Sequence, residues 1–194
     1  MARPRIHDET VRRRLLEVSS EIIAQQGAEA LSMRKVATAA GTTTAAIYAL
    51  FGSREALIEA VVIEGFTRFA EHLQSVAHTD DPAADLLELG KAYRTNALDN
   101  PHYYRVMFND VYGSDTTEHV DETFGMLVTA VQRAAQLETS EANMRAYRLW
   151  AYIHGLVSLE LAGLTGSYDN ATDHETAFVA ALRSAASLIW ESPQ

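Results

Sequence analysis

The chain has 194 residues, 47% of them hydrophobic with few glycines and prolines, enough to bury a real core as one large domain or two small ones. It contains no cysteine, which excludes disulfide frameworks, thiolate zinc sites and cysteine redox sensing. The net charge of −10 argues against a polyanionic partner for the molecule as a whole, but Met1 to Arg54 holds eight basic and five acidic residues, a net +3, leaving −13 for the other 140.

Apolar residues recur at three- and four-residue steps almost throughout, so the pattern predicts an all-α fold of about nine helices. The first helix begins near Asp8, places Val11, Leu15, Val18 and Ile22 on one face and stops at Gly27, with Arg12-Arg13-Arg14 mostly off that face. Ser32 caps a short helix to about Ala39, Gly41 breaks it, and Thr42 or Thr43 caps a third to about Leu50. Gly52-Ser53 then starts a long amphipathic helix running to about Ala77, with Leu57, Val61, Phe66, Ala70 and Leu73 along its stripe.

Asp81-Pro82 and Asn100-Pro101 each set a capping residue before a proline at a first helical position, so each starts a helix. Val111 to Asp115 reads as a loop, followed by helices over about 117–138, 140–163 and 172–191. The last is expected to open on a capping box, Thr172 to Glu175. No apolar run approaches the ~20 residues of a membrane-spanning helix, and the N-terminus leads into no apolar stretch. A cytoplasmic protein is the expectation. There is no internal repeat.

Two short helices joined by a glycine-containing turn and buttressed by a preceding helix form the arrangement that sets a helix into the DNA major groove. The motif spans about residues 32–51. The third helix turns Ile47 and Leu50 or Phe51 inward and leaves short residues outward: Thr43, Thr44, Ala45, Ala46 and Tyr48. A rival match, the Ser-x-x-Lys pattern of penicillin-recognising enzymes at Ser32 to Lys35, has no partner motif.

Residues Gly27 to Ala37 and Ile47 to Leu57, with the glycine turn, Tyr48-x-x-Phe51 and Ser53-Arg54-Glu55-x-Leu57, resemble the DNA-binding domain of the tetracycline-repressor family. The resemblance implies base contacts by Thr43, Thr44, Ala45 and Ala46, and phosphate contacts by Tyr48 and the backbone at Thr43. It also implies a phosphate contact by Arg54, which stands where the family usually has lysine, and further contacts by Arg34 or Lys35 and the arm Arg3/Arg5. Ala49-Leu50 departs from the family, which often has polar or aromatic residues there. Tyr48 as a packing residue and Arg12 to Arg14 as a solvated face are the plainer alternatives.

The implied division is a DNA-binding domain over 1–57 and a ligand-binding and dimerisation domain over 58–194. Trp150 to Leu161 is similar to the Trp-x-x-x-His-Gly signature of one subclass of C-terminal domain in this family. Candidate effector contacts are Tyr103, Tyr104, Met107, Phe108, Trp150 and His154, although most of these aromatics would serve any helical core. The seven histidines are scattered, so neither a metal nor a cofactor is expected.

Small residues at helical spacing (Ala177, Ala181, Ser184 with Leu188, and Leu156, Leu159, Gly163) suit either a homodimer through the last two helices or packing within the chain. The reading is a regulator, implied to be a repressor, bound to a palindromic double-stranded operator and released by a small organic effector. A ligand-independent regulator or a helical interaction module is the alternative. An enzyme is not expected, because no nucleophile, base and orienting group are legible together.

Overall fold

A computed structural model describes residues 5–108, 117–165 and 171–185. They form nine α-helices and no strand: α1 (Arg5–Gln26), α2 (Met33–Ala40), α3 (Thr44–Phe51), α4 (Arg54–Gln74), α5 (Pro82–Asp99), α6 (Pro101–Met107), α7 (Thr117–Ala135), α8 (Thr139–Leu161) and α9 (Ala171–Ser184). One 3-10 turn, Ala28–Ala30, lies between α1 and α2. The expected loop at Val111 to Asp115, the distal Leu188 and Arg3 fall outside the described residues, and of Arg5 only the backbone is described.

Most helix starts follow from local side-chain chemistry. Oγ of Ser32 accepts from Lys35 N–H, and Ser53 Oγ and Asp81 Oδ1 accept in the same way from Ala56 and Ala84 N–H at 3.0 Å. Of the two candidate caps for α3 the backbone uses Thr43, whose Oγ1 accepts from Ala46 N–H at 3.2 Å. Asn100 differs from expectation. Its Oδ1 accepts from Arg68 Nη1 at 3.0 Å, so it caps nothing, and α6 starts on Pro101 alone. α9 begins at Ala171, which places Thr172 inside the first turn and not at the expected cap.

The chain divides into two compact units, and no single cut in the sequence separates them. Residues Met1–Arg68 and Asn100–Val120 make the first; Phe69–Asp99 and Asp121–Gln194 make the second. In the first, α6 and α2 pack on α1, and Leu15, Leu16, Ile23, Leu31, Val36, Ile47, Leu57, Val61, Val106 and Met107 are almost wholly removed from water. Gly65 of α4 lets α6 come close: a Cβ there would lie 2.7 Å from Met107 Cγ.

In the second unit α5 packs against α8 and α9, around Leu86, Leu89, Tyr93, Ala146, Leu149, Ile153, Val157, Phe178 and Leu182. An ion pair crosses this core. Arg94 meets Glu160 with both fork donors, at 2.7 and 2.6 Å, with only 11% and 12% of the two side chains exposed. The same guanidinium lies 5.6 Å over the Phe178 ring.

Candidate functional site

The turn between α2 and α3 is tight because Gly41 takes the left-handed conformation, φ 67 and ψ 35, which a Cβ would disfavour. The following N–H of Thr42 closes on Ala37 O at 2.9 Å. α2 buries Met33, Val36 and Ala37, whereas α3 buries Ile47 alone. Anchored by that one side chain, α3 leaves Thr43, Thr44, Ala45, Tyr48 and Ala49 exposed and Ala46 half-buried. Tyr48 is 52% exposed, which removes the alternative of a packing residue.

The basic residues around this face differ in what they do. Arg34 is exposed, and its carbonyl accepts from Thr38 Oγ1 at 2.9 Å. Lys35 Nζ donates to Gln26 Oε1, which ties α2 back to α1. Arg12 lies 5.8 Å over the Phe51 ring and joins α1 to α3, while Arg13 and Arg14 are exposed.

Arg54 has a task that sequence reasoning missed. Its Nε donates to Leu31 O at 2.8 Å and its Nη2 to Ala28 O at 2.6 Å, so the guanidinium clamps the 3-10 turn and the entry to α2 onto the start of α4. Ala28 O also accepts from Leu31 N–H at 3.0 Å, and a forked side chain can reach both carbonyls at once. Nη1 lies 3.6 Å from Glu55 Oε1.

The six residues singled out for an effector belong to different units. Tyr103, Tyr104 and Met107 are core groups of the first: Arg68 lies 4.3 Å over the Tyr103 ring, and Tyr104 meets Phe108 edge-on at 4.9 Å. Burial pushes the Tyr103 hydroxyl up to about 12. In the second unit Trp150 stands 5.9 Å from Phe124 and 6.4 Å from His154. Nδ1 of His154 is 3.1 Å from the Tyr93 hydroxyl, and burial holds the imidazole below its ordinary pKa of 6.5.

A cavity of about 450 Å³ opens elsewhere in the second unit, between the end of α4, the segment after it, α5 and α7. Leu73, Val76, Leu89, Met126 and Ala130 supply its apolar wall. Its polar side is a network in which Asp85 accepts from Thr79 Oγ1 at 2.7 Å, Thr79 N–H at 2.9 Å and Arg133 Nη1 at 3.2 Å. These bonds, those from Thr79 first, hold the Asp85 carboxyl below its ordinary pKa of 3.8. Arg133 also donates to Thr79 O at 3.1 Å. Asp85 and Arg133 are 48 residues apart, so no local pattern announces the pair. Among the described residues no group of three acidic or histidine side chains could hold a metal, and no helix is long and apolar enough to cross a membrane.

Comparison with known proteins bears on both units. Residues 15–61 match the family described as bacterial regulatory proteins, tetR family, and residues 86–185 match the tetracyclin repressor-like C-terminal domain. The chain belongs to the TetR family. It is 30% identical to regulatory protein SCO4313, whose crystal structure covers 95% of this chain and is covered over 98% of its own, with a TM-score of 0.73. A TetR family transcription regulator from Marinobacter aquaeolei VT8 shares the fold at 19% identity and a TM-score of 0.77, over 96% of this chain and 98% of that one.

An uncharacterized HTH-type transcriptional regulator, Rv0681 of Mycobacterium tuberculosis, is 27% identical over 163 residues, 81% of this chain and 73% of that protein. This TetR-family chain is therefore a DNA-binding transcriptional regulator of all-α fold, from a family of transcription factors whose members bind operators and typically form homodimers. The description of the match over 86–185 names no Trp-x-x-x-His-Gly subclass, which rests on sequence resemblance alone.

Proposed function

We propose that this regulator is a repressor that occupies a palindromic operator as a homodimer and leaves it when an organic, partly apolar effector binds the second unit. The observation that carries the reading is the cavity between α4, α5 and α7, whose volume lies within the ~300–1,000 Å³ of small-molecule sites and whose wall combines apolar side chains with a few polar groups. Residues 1–57 are read as the DNA-binding part and 58–194 as the part for effector and dimer. Thr43, Thr44, Ala45 and Ala46 face bases. Tyr48, Arg34, Lys35 and the outward edge of Arg54 face phosphates.

The effector site is read as this cavity in preference to Trp150 and His154, whose ring already meets Tyr93. Exposed Met144, Tyr147 and Leu159 on α8 and exposed Ser184 on α9 support pairing of two chains through the last two helices. An effector that prefers the DNA-incompetent state by about 1.4 kcal/mol weakens operator binding at most tenfold.

The test has two stages. Genomic fragments selected by the protein are titrated at several salt concentrations, and compounds are then screened for thermal stabilisation and operator release. A palindrome bound with a steep salt dependence, and released by a compound that Leu89→Trp makes ineffective without loss of DNA affinity, supports the proposal. Release that is unchanged in Leu89→Trp refutes the cavity; operator binding that no compound in the screen alters favours a ligand-independent regulator.

A further inference from the structure

α3 carries unusual side chains for a helix that faces bases. From Thr42 to Phe51 there is no Arg, Lys, Asn, Gln, Asp, Glu or His. Arg and Lys bond two acceptors of guanine, Asn and Gln pair with adenine, and Asp and Glu accept from cytosine, so α3 can make none of these contacts. What it exposes is Thr44, Ala45, Tyr48 and Ala49, with 44 above 48 and 45 above 49 on adjacent rows of one face. The hydroxyl of Thr43 is held by the helix itself, through its bond from Ala46 N–H at 3.2 Å.

Three of the four exposed side chains therefore end in methyl groups close to the backbone, so a helix this slim can sit deep in a groove. In the major groove only thymine offers a matching apolar group, its C5 methyl. We infer that α3 selects its site through contacts between the methyls of Thr44, Ala45 and Ala49 and the C5 methyls of thymine, with no paired hydrogen bonds to purine edges. This rests on the reading that α3 enters the major groove. Phosphate contacts supply affinity and register, and the methyl contacts supply the sequence preference.

The experiment replaces each thymine of the selected operator in turn by deoxyuridine, which deletes only the C5 methyl and leaves base pairing intact. Burial of one methyl corresponds to roughly a fourfold change in affinity, so several thymines in each half-site should each lose about that much. Thr44→Ser, which removes the side-chain methyl, should lose a similar factor on the thymine operator and nothing more on the uracil operator at the matched position. Thr44→Val should keep the discrimination, and unchanged helical circular dichroism verifies that both variants fold. A strongly enriched operator indifferent to every uracil replacement overturns the inference while leaving the DNA-binding reading intact. Failure to enrich any sequence overturns both.

Discussion

Replacing Arg54 separates a structural clamp from a phosphate contact. The guanidinium makes two bonds to the carbonyls of Leu31 and Ala28, and 29% of its side chain is exposed. A hydrogen bond to a charged group contributes about 1.5–3 kcal/mol, and partial exposure argues for the lower end, so Arg54→Ala should cost about 3 kcal/mol. Arg54→Lys keeps the charge but has a point donor in place of a fork, and should cost roughly half as much.

In urea, with a slope of about 1–3 kcal/mol per molar, the alanine variant should shift its midpoint down by roughly 1–3 M. Operator affinity should fall for both variants, with the slope of log affinity against log salt reduced by about one unit in Arg54→Ala and kept in Arg54→Lys, which retains the charge. Unfolding of Arg54→Ala at the wild-type midpoint would refute the clamp, and an unchanged salt slope would remove Arg54 from the phosphate contacts.

Gly65→Ala would bring a methyl 2.7 Å from Met107 Cγ in a fully buried position and should cost about 1–3 kcal/mol in urea unfolding, and less when introduced into a Met107→Ala background, where the clashing atoms are absent. Glu160→Ala leaves Arg94 without its anion in the core of the second unit and should cost about 3–5 kcal/mol, whereas the double change Arg94→Met, Glu160→Leu should recover most of it; a small effect of the single change would show the pair to be solvated. His154 has a folded-state pKa below 6.5, so the unfolded chain binds the proton more tightly, and stability should fall as pH drops through the window just below 6.5. His154→Asn should flatten the unfolding midpoint over that window, and an unchanged profile would place the titration elsewhere. Removing the Tyr48 ring, 52% exposed, should leave the thermal transition in place and weaken operator binding.

Much of this architecture is legible because it is local. A hydroxyl or carboxylate three residues before an amide that needs an acceptor announces a helix start, as at Ser32, Thr43, Ser53 and Asp81, and Gly41 marks a backbone turn that a side chain would strain. The outward face of α3 follows from the same arithmetic, since burying Ile47 decides by helical spacing which neighbours meet solvent. Those signals act within about four residues, so they survive without knowledge of the rest of the chain.

What the sequence could not say is which partner a long polar or aromatic side chain reaches. Tyr103 and Met107 look the same in a row of letters whether they line a cavity or fill a core, and the packing of α6 against α1 makes them core. Nothing in the letters around Arg54 shows that Leu31 and Ala28 turn their carbonyls toward it. Glu160 could be taken for an acid or base until Arg94, 66 residues away, meets both its oxygens. Asp85 and Arg133 likewise acquire a shared role only where α5 and α7 face one cavity. Helix identity, the caps at Ser32, Ser53 and Asp81 and the polarity of the chain's charge were decided by the sequence alone, through short-range bonds and composition. The division of charged groups between clamp, core pair and cavity wall was decided by tertiary packing, because a flexible side chain takes whichever partner remains after backbone and water have been displaced.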